Sequence, residues 1–155
     1  MTAIARDSFS ASSPSSAPLV GAPQKSSRAA RITGIVLSSL AVLFLGFDTV
    51  IKLLVATPAV AATTELGFSS ALVRPIGLIE LACLVTYLIP RTRVLGAVLW
   101  TGYLGGAIAT HVRLENPLFS HVLFPIYVAA LLWGGLWLLS PRLRNFFFES
   151  SPSER

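Results

Sequence analysis

Residues 119–139, FSHVLFPIYVAALLWGGLWLL, run for 21 residues without an Asp, Glu, Lys or Arg. At about 1.5 Å of rise per residue, a helix of that length matches the roughly 30 Å hydrocarbon core of a bilayer. A helix packed on a soluble core would carry a polar face for water, and this stretch has none. It reads as a membrane-spanning helix. The preceding stretch, 94–112, VLGAVLWTGYLGGAIATHV, gives 19 more residues free of Asp, Glu, Lys and Arg and reads the same way. Working outward, residues 32–56 form a 25-residue apolar run interrupted by Asp48 and Lys52, and residues 72–89 an 18-residue run holding Arg74 and Glu80. These two span only if their ionisable groups face protein or water instead of lipid. The expectation is an all-α, integral membrane four-helix bundle with spans at about 32–56, 72–89, 94–112 and 119–139.

Composition agrees with that solvent. Of 155 residues, 54% are hydrophobic and 12% charged, with mean hydropathy +0.72. Soluble domains carry about a quarter charged residues, so a soluble enzyme is excluded. The net charge of +5 and isoelectric point near 10.2 would fit a nucleic-acid binder only if Lys and Arg gathered on one face. Their positions give a different answer. With four spans, nine basic residues (Arg6, Lys25, Arg28, Arg31, Arg91, Arg93, Arg142, Arg144 and Arg155) share one side, against Arg74 and Arg113 on the other and Lys52 within the membrane. The positive-inside rule then puts both termini in the cytoplasm, and nucleic acid is not a partner. Residues 1–30, rich in Ser, Ala and Pro, are expected to be a disordered cytoplasmic tail, 31–144 the transmembrane domain and 145–155 a short cytoplasmic tail. A PRxR sequence follows both descending spans, at Pro90–Arg93 and Pro141–Arg144, where proline ends the helix and the arginines reach phosphate headgroups.

The remaining polar residues fall in the opposite half of the membrane region. Asp48 and Lys52 sit four apart with the acid first, the order that pairs them on one helix face; the pair either serves a ligand or simply docks span one. Glu80 has no base three or four positions away, so its partner is Lys52, His111, Arg113 or His121, or else it is protonated. Glu80, Cys83 and Tyr87 share a stripe on span two, and Trp100, Tyr103, Ala107 and Thr110 one on span three. Together these stripes describe either a cleft for a flat ligand such as a quinone ring or plain helix packing. His111 and His121 lack HxxxH or HExxH spacing and read as hydrogen-bonding groups, with no metal site expected. Cys83, the only cysteine, reads as a buried filler and excludes an internal disulfide or CxxC pair. No catalytic triad, phosphate loop or nucleotide fingerprint occurs. Gly102, Gly105, Gly106 and Ala109 on span three, with Gly134 and Gly135 on span four, are expected to pack helices closely in the bundle or in a homo-oligomer. Pro125 is expected to kink span four.

Gly46-Phe47-Asp48 and Lys52-Leu53, RPIGLIE at 74–80, YLIPRT at 87–92, Leu95-Gly96-Ala97, TGYLGGA at 101–107, His111-Val112-Arg113 and LWGGL at 132–136 come in an order that resembles the DoxX-like family of small bacterial membrane proteins. The resemblance covers about 31–144. It implies a multi-pass protein of the bacterial cytoplasmic (inner) membrane, distantly related to the DoxX and DoxD subunits associated with thiosulfate:quinone oxidoreduction. Lys52, Glu80, Tyr103, His111 and Arg113 are the family-like positions. Together with Asp48 and His121 they give the expected site: an accessory subunit of a membrane redox system, binding a quinone or small thiol-type ligand on the outer side and relying on a redox partner protein for electrons. A small transporter or channel and a non-catalytic scaffold are the alternatives.

Overall fold

The computed structural model describes residues 27–141, 143 and 144. Every regular element among them is helical: α1 (Arg28–Leu53), α2 (Thr57–Glu65), a 3₁₀ turn (Ser70–Leu72), α3 (Val73–Leu88), α4 (Arg93–Arg113), one π turn (Leu118–Val122) and α5 (Phe124–Leu139). The expected tails at 1–26 and 145–155 lie outside the described residues, whereas Arg28–Ala30, expected in the tail, form the first turn of α1. Ser27 caps that turn by accepting from the Ala30 amide at 3.2 Å.

The four long helices form a ring. α1 packs on α5 and α3, α4 packs on α3 and α5, and the diagonal pairs meet only through long side chains that reach across the bundle. Each helix therefore runs antiparallel to both neighbours, the up-down-up-down arrangement that short connections favour. At the upper end α1 and α4 finish and α3 and α5 begin; the lower end holds the α3–α4 turn. The core is Ala41 and Leu45 of α1, Cys83, Leu84 and Tyr87 of α3, Ala97, Trp100 and Leu104 of α4, and Val128, Leu132 and Leu136 of α5. Around it the surface is apolar: Leu43 and Phe47 are 71% and 66% exposed, with Val36, Leu40 and Val50 on the same helix also open. An apolar surface of that extent belongs in lipid.

Three segments are long and apolar enough to cross a membrane: Arg28–Leu53, Ser70–Leu88 and Leu118–Leu139. α4 forms where a span was expected and is 21 residues long, but it is the least apolar of the four long helices. Freedom from formal charge is not the same as apolarity: glycines, Thr101, Thr110, Trp100, Tyr103 and His111 dilute the stretch. Conversely, the two runs that carry ionisable residues both qualify.

Two features differ from expectation. Helix α2 occupies what had read as a connection, starting with Pro58 in its first turn. Pro125 does not kink α5, because α5 starts at Phe124 and places the proline in its first turn, where no amide donor is required. Three helices at the upper end, α1, α2 and α4, each stop with a left-handed residue just past the cap: Val55 (φ 53°), Gly67 (φ 82°) and Glu115 (φ 53°). In each case the next amide reaches back to the last turn, as in Ala56 N–H to Ile51 O (2.9 Å), Phe68 to Thr63 (3.2 Å) and Asn116 to His111 (3.1 Å). This is the Schellman closure, which ordinarily uses glycine. Val55 is branched at Cβ and adopts the left-handed region at a steric cost.

Candidate functional site

Lys52 is the centre of the upper polar cluster. Its ammonium donates to Asp48 Oδ2 (2.6 Å) one turn earlier on α1, to Glu80 Oε1 (2.5 Å) on α3 and to the Tyr103 hydroxyl oxygen (3.2 Å) on α4. Tyr103 in turn donates its hydroxyl proton to the same Glu80 Oε1. Glu80 is fully buried, and its second oxygen, Oε2, has no hydrogen-bond partner among the described residues. Of the four partners open to Glu80 in the sequence, it takes Lys52. Two carboxyl groups thus share one ammonium, and three helices meet on it. Gly77, one turn before Glu80, makes the approach possible: a Cβ there would lie 3.0 Å from Lys52 Cβ and 3.1 Å from the Leu53 amide nitrogen. That glycine was legible within RPIGLIE as a close-approach residue on the face of Glu80, but the reading passed over it.

Lys52 also separates two cavities. The first, of about 400 Å³, lies between α1, α2 and the end of α4 and is walled by Asp48, Lys52, Thr63, Glu65, His111, Asn116 and His121. The second, of about 320 Å³, is more apolar: Leu66, Phe68, Ile76, Gly102, Gly106 and Ala107 surround a polar end made by Lys52, Thr63, Tyr103 and Thr110. Gly102 and Gly106 leave its α4 wall open, since a Cβ on either would meet nothing within 4 Å. α2, through Thr63, borders both cavities, so the element missing from the sequence reading forms much of the site.

The other expected residues separate into groups. His111 and His121 meet edge to face with ring centroids 5.6 Å apart, His111 bonding Asn116 (2.9 Å) and His121 bonding Ser120 (2.8 Å). They line the first cavity and do not touch Glu80. Arg113 is also apart from the cluster; it donates to the Leu66 carbonyl at 3.1 Å and ties the end of α4 to the α2–α3 connection. The α4 stripe is split, with Tyr103, Ala107 and Thr110 on the second cavity and Trp100 fully buried, its Nε1 without an acceptor among the described residues. The α3 stripe below Glu80 borders neither of these two cavities: Cys83 is a buried free thiol, and Tyr87 donates to Leu132 O at 3.2 Å. No group of three or more His, Cys, Asp or Glu is placed to hold a metal ion among the described residues.

The glycines divide in the same way. Gly135 packs α5 onto α1, where a Cβ would fall 2.3 Å from Ser38 Oγ and 2.8 Å from its backbone nitrogen. Gly134 is in ordinary contact with Leu37, at 3.6 Å. A Cβ on Gly102, Gly105 or Gly106 would meet nothing within 4 Å among the described residues, and Ala109 is exposed. Intrachain packing is done by Gly34, Gly77, Gly96 and Gly135.

Among proteins of known kind, neither the curated sequences nor the solved structures yield a match. A family model does, covering residues 36–135, which include the Lys52 cluster, both cavities and most of all four long helices. On that match, together with its apolar lipid-type surface, the chain is an integral membrane protein belonging to the DoxX-like family.

Proposed function

We propose that this protein is an accessory subunit of a membrane redox system and binds a quinone-type ring in the cavity beside Tyr103. The observation that carries the reading is the convergence of Lys52 Nζ and the Tyr103 hydroxyl on one buried carboxylate oxygen at the polar end of an otherwise apolar cavity. At about 320 Å³ that cavity lies in the range of small-molecule pockets, with few and convergent polar groups. A quinone bound there supplies two-electron, two-proton redox chemistry. To bind a ring carbonyl, Lys52 turns toward it the N–H now given to the Tyr103 oxygen, and Tyr103 the O–H now given to Glu80, while Glu80 keeps its bond from Lys52. Glu80 lines neither cavity, so its part is to orient Lys52 and Tyr103. No electron carrier is built by the described residues, so electrons come from a partner protein. In this reading α4 completes four spans, both termini face the bacterial cytoplasm, the cluster faces outward, and the open Gly105 and Ala109 face of α4 serves a contact between copies.

The test is titration of the purified protein with a short-chain benzoquinone and a naphthoquinone, followed by ligand-dependent thermal stabilisation. Saturable binding is expected, weakened up to about tenfold by Tyr103→Phe, the value of one neutral hydrogen bond, and abolished by Gly106→Leu, which fills the open wall. Binding that is absent, or indifferent to both substitutions, overturns the quinone reading and leaves a scaffold held together by a polar cluster.

A further inference from the structure

The lower end of the bundle carries a third cavity, remote from the Lys52 cluster and independent of it. It measures about 450 Å³, and its polar wall is Arg31, Ser38 and Ser39 of α1, Tyr87 of α3 and Arg93 of α4. Of the four carboxyl groups of the described residues, Asp48, Glu65 and Glu115 lie toward the upper end and Glu80 halfway along α3, and both ion pairs among those residues belong to Lys52. Neither guanidinium at the lower cavity therefore has a protein carboxylate to pair with among the described residues.

Arg93 is nonetheless held in place. Its Nε donates to the Tyr87 carbonyl at 3.3 Å, and its guanidinium carbon stands 5.8 Å from the centre of the Tyr87 ring. Tyr87 is itself fixed through its hydroxyl, which meets Ser38 Oγ at 3.3 Å and the Leu132 carbonyl at 3.2 Å. Those bonds occupy only Nε of Arg93 and leave both terminal nitrogens without a hydrogen-bond partner among the described residues. A positioned guanidinium with a free fork is the usual receptor for a phosphate or carboxylate. Arg31 approaches the same space from the first turn of α1.

The rest of the lining says which anion fits. Ile35, Leu88 and Leu139 complete the cavity, and Ile35 and Leu88 are each 47% exposed on the apolar sides of α1 and α3. The cavity therefore opens sideways onto the surface that faces acyl chains. A ligand with a phosphate at one end and a hydrocarbon chain at the other satisfies both halves. We propose that the lower cavity is a binding site for an anionic phospholipid, with the phosphate between Arg31 and Arg93 and an acyl chain running out past Ile35 and Leu88. Basic pockets between membrane helices take such headgroups, and each arginine near the headgroup contributes roughly fivefold in affinity.

The experiment uses the full-length protein released from mixed micelles, with retained lipid read by native mass spectrometry in phosphatidylglycerol, phosphatidylcholine or an equal mixture. Phosphatidylglycerol is expected to be retained in preference, by about 25-fold, the product of two arginines at about fivefold each. Arg31→Gln, a change at an exposed position, lowers that preference about fivefold, and Arg31→Gln with Arg93→Gln removes it. Arg91→Gln, an exposed arginine outside the cavity, leaves it unchanged. Inorganic phosphate at 10 mM does not displace the lipid. Equal retention of the two lipids in the unaltered protein, an equal loss in Arg91→Gln, or displacement by inorganic phosphate each overturns the proposal; the first of these needs no variant and so does not depend on a variant folding.

Discussion

Lys52 has three partners, yet only Glu80 among them is wholly removed from solvent. Deleting one member of a buried ion pair leaves the other as an uncompensated charge, which costs about 3–5 kcal/mol, whereas deleting both costs far less. Lys52→Met is therefore expected to destabilise the protein strongly, and Lys52→Met with Glu80→Gln to recover most of the loss. Thermal unfolding of the two single variants and the double variant in one detergent checks this, and additive losses would show that the pair is not coupled. Asp48→Asn should cost less, about 1 kcal/mol or below, because Asp48 keeps a third of its side chain in solvent. The identities of Asp48, Lys52, Glu80 and Tyr103 were legible in the sequence because ionisable and aromatic residues stand out against an apolar background. Their pairing was not. Helical spacing links 48 to 52, but only the packing of three helices brings residues 52, 80 and 103 together. His111 and Arg113 show the converse, since nearness in depth had grouped them with Glu80 although they face other neighbours.

Among the helices, small residues have two distinct uses that one sequence motif does not tell apart. Gly135 lets α1 and α5 approach until a single added carbon would strike backbone, while Gly102 and Gly106 border empty space. Gly135→Leu is expected to lower stability by about 3 kcal/mol or more through overpacking. Gly106→Ala is expected to raise it by about 0.5–1 kcal/mol, since alanine favours a helix interior and here meets no obstacle. Unfolding midpoints in detergent separate the two outcomes, and a destabilising Gly106→Ala would mean that the open wall is covered by another chain. The existence of four long helices was legible from apolar runs of bilayer length. α2 was not, being nine residues long and ended by a closure at Gly67 that resembles any turn. The end of α4 was legible to within one residue, at 112 against 113, but its closure and that of α1 were hidden, because Val55 and Glu115 occupy positions where the rule looks for glycine.

The molecule as a whole is polarised, with three of the four carboxyl groups of the described residues toward one end and unpaired arginines at the other. The proposed orientation and the traverse of α4 are testable directly. In a Cys83→Ala background, Arg91→Cys and Glu115→Cys place single thiols just beyond the two ends of α4. A membrane-impermeant maleimide applied to intact cells is expected to label the second and to reach the first only after the membrane is opened. Labelling of both from one side would mean that α4 lies within the fold without crossing. The ring order of the helices follows from their short connections and was open to sequence reasoning, but the two upper cavities depend on α2 and were not.

The unequal lengths of the helices have a mechanical consequence. α1 has 26 residues whereas α3 and α5 have 16 each, about 39 Å against about 24 Å of helix. The 3₁₀ turn at Ser70–Leu72 and the π turn at Leu118–Val122 extend these two helices to segments of bilayer length. Glu80 stands halfway along α3 and Tyr103 halfway along α4, while Lys52 is next to the last residue of α1, so the long helix delivers its terminal charge to the middle of the other two.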